Sequence, residues 1–145
     1  MNQARTPSRR RLARVALVQA LYQRQLNPAP CAEIAEQFHA DPERLAGADR
    51  AFFDRLWQGL CPQMDALDPE IAAVLTERRW EDGVNPVERA ILRLAAYELR
   101  HQLDTPYRVI LNEAIELDKS FGSEQGHRFI NAVLDRLAAQ WRAAE

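Results

Sequence analysis

The segment Asn85-Pro-Val-Glu-Arg-Ala-Ile-Leu-Arg-Leu-Ala-Ala-Tyr-Glu-Leu99 decides how this chain folds. Asparagine before proline supplies a helix cap. Proline suits the first turn, because its missing N–H has no partner to lose there. Glu88 stands at the third position, where its carboxylate reaches back to the cap. Ile91, Leu94, Ala95 and Leu99 then recur at the spacing of one helix face. The same 3.6-residue period runs through almost the whole chain, and no stretch alternates cleanly at period two. The predicted class is all-α, a compact bundle of about seven helices.

Prolines mark the joints on either side. Thr6-Pro7 is expected to cap and open a first helix that runs to about Leu26, where Asn27-Pro28-Ala29-Pro30 ends it. A short helix with Cys31, Ile34, Ala35 and Phe38 on one stripe stops before Asp41-Pro42. A third begins near Asp49 and carries Phe52, Phe53, Leu56, Trp57, Leu60, Met64 and Leu67. Pro62 is expected to kink or split it, and Asp68-Pro69 to restart the chain as a fourth helix. After the polar break Arg78–Gly83 comes the helix opened by Asn85. Thr105-Pro106 opens the next, which Gly122 stops, and Ser123 caps the last, with Ile130, Val133, Leu134, Leu137 and Trp141 aligned.

At 145 residues, with 47% apolar and 28% charged side chains, the chain reads as one domain, residues 1–145, with a polar and flexible start over residues 1–6. No run approaches the length of a membrane span, and no secretory signal is present. The expected location is a reducing cytoplasm. Cys31 and Cys61 sit thirty residues apart without CxxC spacing, so neither a disulfide framework nor a zinc site is expected, and buried free thiols are.

Charge is unevenly placed. Met1 to Pro30 holds six arginines (Arg5, Arg9, Arg10, Arg11, Arg14 and Arg24) and no acid, whereas the formal total is −2. The first 30 residues thus count +6 and the remaining 115 count −8. A guanidinium fork donates two parallel hydrogen bonds to phosphate, so such an arm points to nucleic acid; a solvated basic helix end is the alternative. Arg10 and Arg14 lie one helical turn apart. Arg11 and Tyr22 return to nearly the same azimuth, roughly 16 Å apart along the axis. Forks followed by an aromatic ring suit a single strand, although Tyr22 equally fits a core ring with its hydroxyl at the rim. Gln125, His127, Arg128 and Phe129 at the start of the last helix form a second candidate patch. Glu77, Glu81, Asp82 and Glu88 gather near the break, where they suit either a basic protein partner or solvent.

Nothing in the motifs points to catalysis. His39, His101 and His127 have no ligand or nucleophile partner at a recognised spacing, and no phosphate-cradling or dinucleotide loop exists, so no metal or cofactor is expected. Glu113 and Glu116 share a helix face, but the first lies near a helix start and the second can pair with Lys119. Glu98 reads as a buried, hydrogen-bonded carboxylate.

Four segments in order carry a family likeness: Ala13 to Tyr22, Val87 to Leu99, Pro106 to Gly122, and His127 to Leu137. Together the chain resembles the NusB family of bacterial transcription antitermination factors. The resemblance implies two small helical sub-bundles, no catalysis, and binding of single-stranded boxA RNA in nascent transcripts, notably those of ribosomal RNA operons. It implies assembly with the small-subunit ribosomal protein NusE, other Nus factors and RNA polymerase, leading to read-through. It assigns RNA contact to Arg9, Arg10, Arg11, Arg14, Tyr22, Gln125, His127, Arg128 and Phe129. Glu88, with Glu81 and Asp82 more loosely, falls on the partner-docking surface. Departures are Ala132 within Asn131-Ala-Val-Leu-Asp135, where glycine is common, and Asp118, where a small apolar residue is common. The Pro28–Pro30 turn and Pro62 also differ. A second reading is the NusB-like RNA-binding region of a ribosomal RNA cytosine methyltransferase. The chain carries no Rossmann-like portion or catalytic cysteine motif for it. A third, a small helical enzyme using Glu113 and Glu116, lacks pocket motifs.

Overall fold

A computed structural model describes residues 7–121 and 126–145. Among the described residues it contains six α-helices and no strand: α1 (Arg9–Leu26), α2 (Cys31–Ala40), α3 (Arg50–Ala73), α4 (Pro86–His101), α5 (Tyr107–Ser120) and α6 (Gly126–Trp141). The all-α class holds, with six helices in place of seven.

The difference lies in α3, which continues through Pro62 and Pro69 where a split was expected. Each proline removes one backbone hydrogen bond and costs roughly 3 kcal/mol. Leu60, Cys61, Met64, Leu67 and Ile71 are all buried at helical spacing across the same stretch. Each such side chain contributes roughly 1.5–3 kcal/mol by leaving water, so the continuous stripe outweighs the two prolines. Gly122, Ser123 and Thr6, expected as helix boundaries, lie outside the described residues. The observed cap of α1 is Ser8, whose hydroxyl accepts from the Arg11 N–H at 3.0 Å.

The chain forms two compact units, Met1–Gly59 and Leu60–Glu145. In the first, α1 packs on α2, and the aromatic rings of Phe38, Phe53 and Trp57 stack in sequence with centroids 5.7 and 6.4 Å apart. Trp57 is buried and donates its indole N–H to the Cys31 carbonyl at 2.8 Å. The turn between α2 and α3 needs glycine at position 47. Its φ is +74°, and a Cβ there would sit 3.2 Å from a Leu12 methyl. The Asp49 N–H then donates to the Arg9 carbonyl at 2.9 Å, tying the start of α3 to the start of α1.

In the second unit α4, α5 and α6 pack on one another. Helix α4 is central, with every residue from Ala90 to Leu99 buried. Its start carries the complete capping box read from the sequence. Buried Arg93 grips Asp68 with two hydrogen bonds, at 2.9 and 2.6 Å. Among the described residues no cysteine is a free thiol, which corrects the expectation for Cys31 and Cys61.

Candidate nucleic-acid interface

The start of α1 has no acidic residue in its first turn and exposes Arg9 and Arg10; Arg11 is half-buried. The Arg10 guanidinium lies 4.6 Å from the centroid of the Phe52 ring. Arg14 is held deeper. It is only 3% exposed, with its guanidinium 5.0 Å from the same ring centroid. The helical period accounts for this, because Arg14 precedes buried Leu17 and Leu21 by one and two turns. Arg11 and Arg14 both engage other groups of the chain. The reachable forks of α1 are therefore those of Arg9 and Arg10, with Arg11 partly available. Tyr22, 39% exposed, presents its ring further along the same helix.

The second candidate patch belongs to the second unit. Gln125 lies outside the described residues. Arg128 is exposed, and His127 and Phe129 are half-buried. The His127 Nδ1 is buried without a hydrogen-bond partner. The Arg78 guanidinium sits 4.0 Å from the Phe129 ring centroid, so that aromatic surface already carries a cation. The same Arg78 donates to Glu88 at 3.1 Å. The structure thus brings Phe129 of the expected RNA set and Glu88 of the expected partner set onto one arginine, a meeting that residue spacing does not show.

Glu88 is 3% exposed. Its N–H donates to the Asn85 side chain at 2.8 Å, and its Oε1 accepts from the Asn85 N–H at 3.3 Å as well as from Arg78. Those bonds fold the carboxylate back onto the helix start, so it is not a free docking acid. Glu81 and Asp82 do face solvent. Each lies within 4.0 Å of Arg79, in loosely held surface pairs.

Beneath this cluster is a carboxyl group with no hydrogen-bond partner. Asp118 of α5 is 0% exposed, and neither of its oxygens is bonded. Burial raises its pKa from 3.8 to about 6; the negative charge of Glu88 adds to the rise, and His127 opposes it. Position 118 is therefore an interior site, which accords with a small apolar residue being common there.

Sequence spacing also missed the His39–Asp54 pair. Nε2 and Oδ1 are 2.6 Å apart, in a groove of the first unit lined by Cys31, Ala35, Glu36 and Trp57. The residues are 15 apart and meet only because α2 packs beside α3. Cys31 is not a free thiol, leaving the pair without a nucleophile. Among the described residues no group of histidine, cysteine or carboxylate side chains can hold a metal ion, and no helix is long and apolar enough to cross a membrane. Glu116 pairs with Lys119 at 3.8 Å, as its spacing suggests.

These features define an all-helical protein whose first helix opens with exposed arginines. Its fold matches the solved structure of T. maritima NusB, with a TM-score of 0.75 and 30% identity over 94% of either chain. The NusB family model matches residues 11–139. Similarity to the transcription antitermination protein NusB of Alcanivorax borkumensis is 47% identity over 145 residues, all of this chain and 95% of the relative. For the NusB protein of Shewanella amazonensis it is 47% over 134 residues, 92% of this chain and 98% of the relative. The chain belongs to the NusB family.

Proposed function

We propose that this chain is a transcription antitermination factor that acts by binding RNA and assembling with protein partners, not by making or breaking bonds. The observation that carries the reading is full-length similarity to proteins of that name in a chain whose first 30 residues hold six arginines and no acid. Arg9 and Arg10, with Arg11 beside them, contact the phosphates of single-stranded boxA RNA, and Tyr22 offers a ring for a base to stack on. His127, Arg128 and Phe129 supply further RNA contacts, and Gln125 joins them. NusE docks where Glu81 and Asp82 carry exposed negative charge, and Glu88 acts there by holding the helix start in place. Joining two binding surfaces raises RNA affinity, and the assembly with other Nus factors and RNA polymerase forms in the cytoplasm.

Salt titration tests the RNA-binding part. Each lost phosphate contact on a single strand flattens the plot of log K against log salt by roughly 0.7. Replacing Arg9 and Arg10 with alanine is expected to weaken binding of a labelled boxA RNA and to flatten that slope by about twice this amount. An unchanged slope in a fluorescence anisotropy titration rules out the α1 face. Pull-down from lysate tests the assembly: recovery of NusE together with leader RNA is expected, and recovery of neither overturns the reading.

A further inference from the structure

The cationic character of the first unit extends beyond α1. Phe52 is buried near the start of α3, yet three guanidinium groups gather at its ring. Arg10, Arg14 and Arg55 lie 4.6, 5.0 and 5.5 Å from its centroid. Local bonds explain the gathering. The Asp49 N–H donates to the Arg9 carbonyl, and the Asp49 carboxylate accepts from the Phe52 N–H at 3.0 Å. The first turn of α3, and the ring with it, is thereby held against the first turn of α1. Arg55 follows Phe52 by three residues, on the same flank of α3. Arg10 and Arg55 are both exposed. Because both lie against one ring, their guanidinium carbons are at most about 10 Å apart.

An aromatic face attracts each cation by roughly 0.5–1 kcal/mol at an exposed site, but it does not cancel the repulsion between cations. The neighbouring acids in sequence are occupied, Asp49 with the cap of α3 and Asp54 with His39. Among the described residues neither Arg10 nor Arg55 forms an ion pair. An anion from outside the chain suits the exposed pair Arg10 and Arg55.

We propose that Arg55 of α3 is a nucleic-acid contact, and that a phosphate of the bound strand is held between Arg10 and Arg55. The inference rests on the RNA-binding reading above and extends it to a second helix. The test titrates Arg55→Ala, Arg55→Lys and Arg9→Ala proteins with a short fluorescein-labelled boxA RNA across a range of KCl concentrations, with thermal melts of each protein. Arg55→Ala is expected to weaken binding roughly fivefold and to flatten the salt slope by roughly 0.7. Arg55→Lys keeps the charge and is expected to keep the slope. If Arg55→Ala lowers Tm but leaves affinity and slope at their parent values, Arg55 is a packing residue and the proposal is overturned. If Arg9→Ala flattens the slope and Arg55→Ala does not, the RNA-binding reading stands and the extension onto α3 falls. If neither changes the slope, the α1 face falls together with its extension onto α3. Should Arg55→Ala not fold, Arg55→Gln, which keeps the side-chain stem at the ring, carries the same comparison.

Discussion

Asp118 shows how much a single atom pair can matter to this fold. A buried polar group without a partner costs roughly 1–3 kcal/mol, and more when charged. Its folded pKa of about 6 lies above the ordinary 3.8, so between those values the folded state binds the extra proton. Stability therefore falls as pH rises through that window, and the full penalty is present above about pH 6. The groups that face it are Glu88 from α4 and His127 from α6. Asp118→Ala is expected to stabilise the protein by roughly 1–3 kcal/mol near neutral pH. The gain should shrink as pH falls towards about 4. Urea denaturation at several pH values measures this, and a variant less stable than the parent at neutral pH contradicts the unpartnered carboxylate. Arg14 carries a related lesson. Its residue type suggested a phosphate fork, but its place in the helical period put it in the interior.

At the scale of elements, α4 shows how both ends of a helix are secured by different means. Its start is closed by neighbours in sequence, Asn85 and Glu88, which is why it could be read directly. Its end is closed by Arg142, a residue more than 40 positions away. Arg142 is buried and donates to the carbonyls of Glu98, Leu99, Gln102 and Thr105. Helix ends leave carbonyls without partners, and a guanidinium fork satisfies several at once. Arg142→Met keeps bulk but removes every donor. Each buried acceptor left unpaired costs roughly 1–3 kcal/mol, so a loss of about 3 kcal/mol or more is expected in chemical denaturation. A loss under about 1 kcal/mol would mean water replaces the fork. Helix α3 shows the converse limit of local reading: two prolines argue for breaks, and the buried stripe that overrides them becomes decisive only once its neighbours are in place.

For the whole molecule, the first compact unit is built on an aromatic stack and the second on the packing of α4, α5 and α6. Amide exchange reports the depth of such cores, because buried helices open only with large-scale unfolding. Slowest exchange is expected along Ala90–Leu99 of α4, and faster exchange in α2, where only Ile34 and Phe38 are buried. Mass-spectrometric exchange with equal protection of both helices contradicts this ranking. Helix identity, most boundaries and the arginine-rich start were legible along the chain, because caps, period and charge act over a few residues. Burial of Arg14, Glu88 and Asp118, the state of the cysteines, the His39–Asp54 pair and the approach of Arg10 and Arg55 to one ring were not. Each depends on which helix packs beside which, and contacts between distant residues leave no periodic mark on a single sequence.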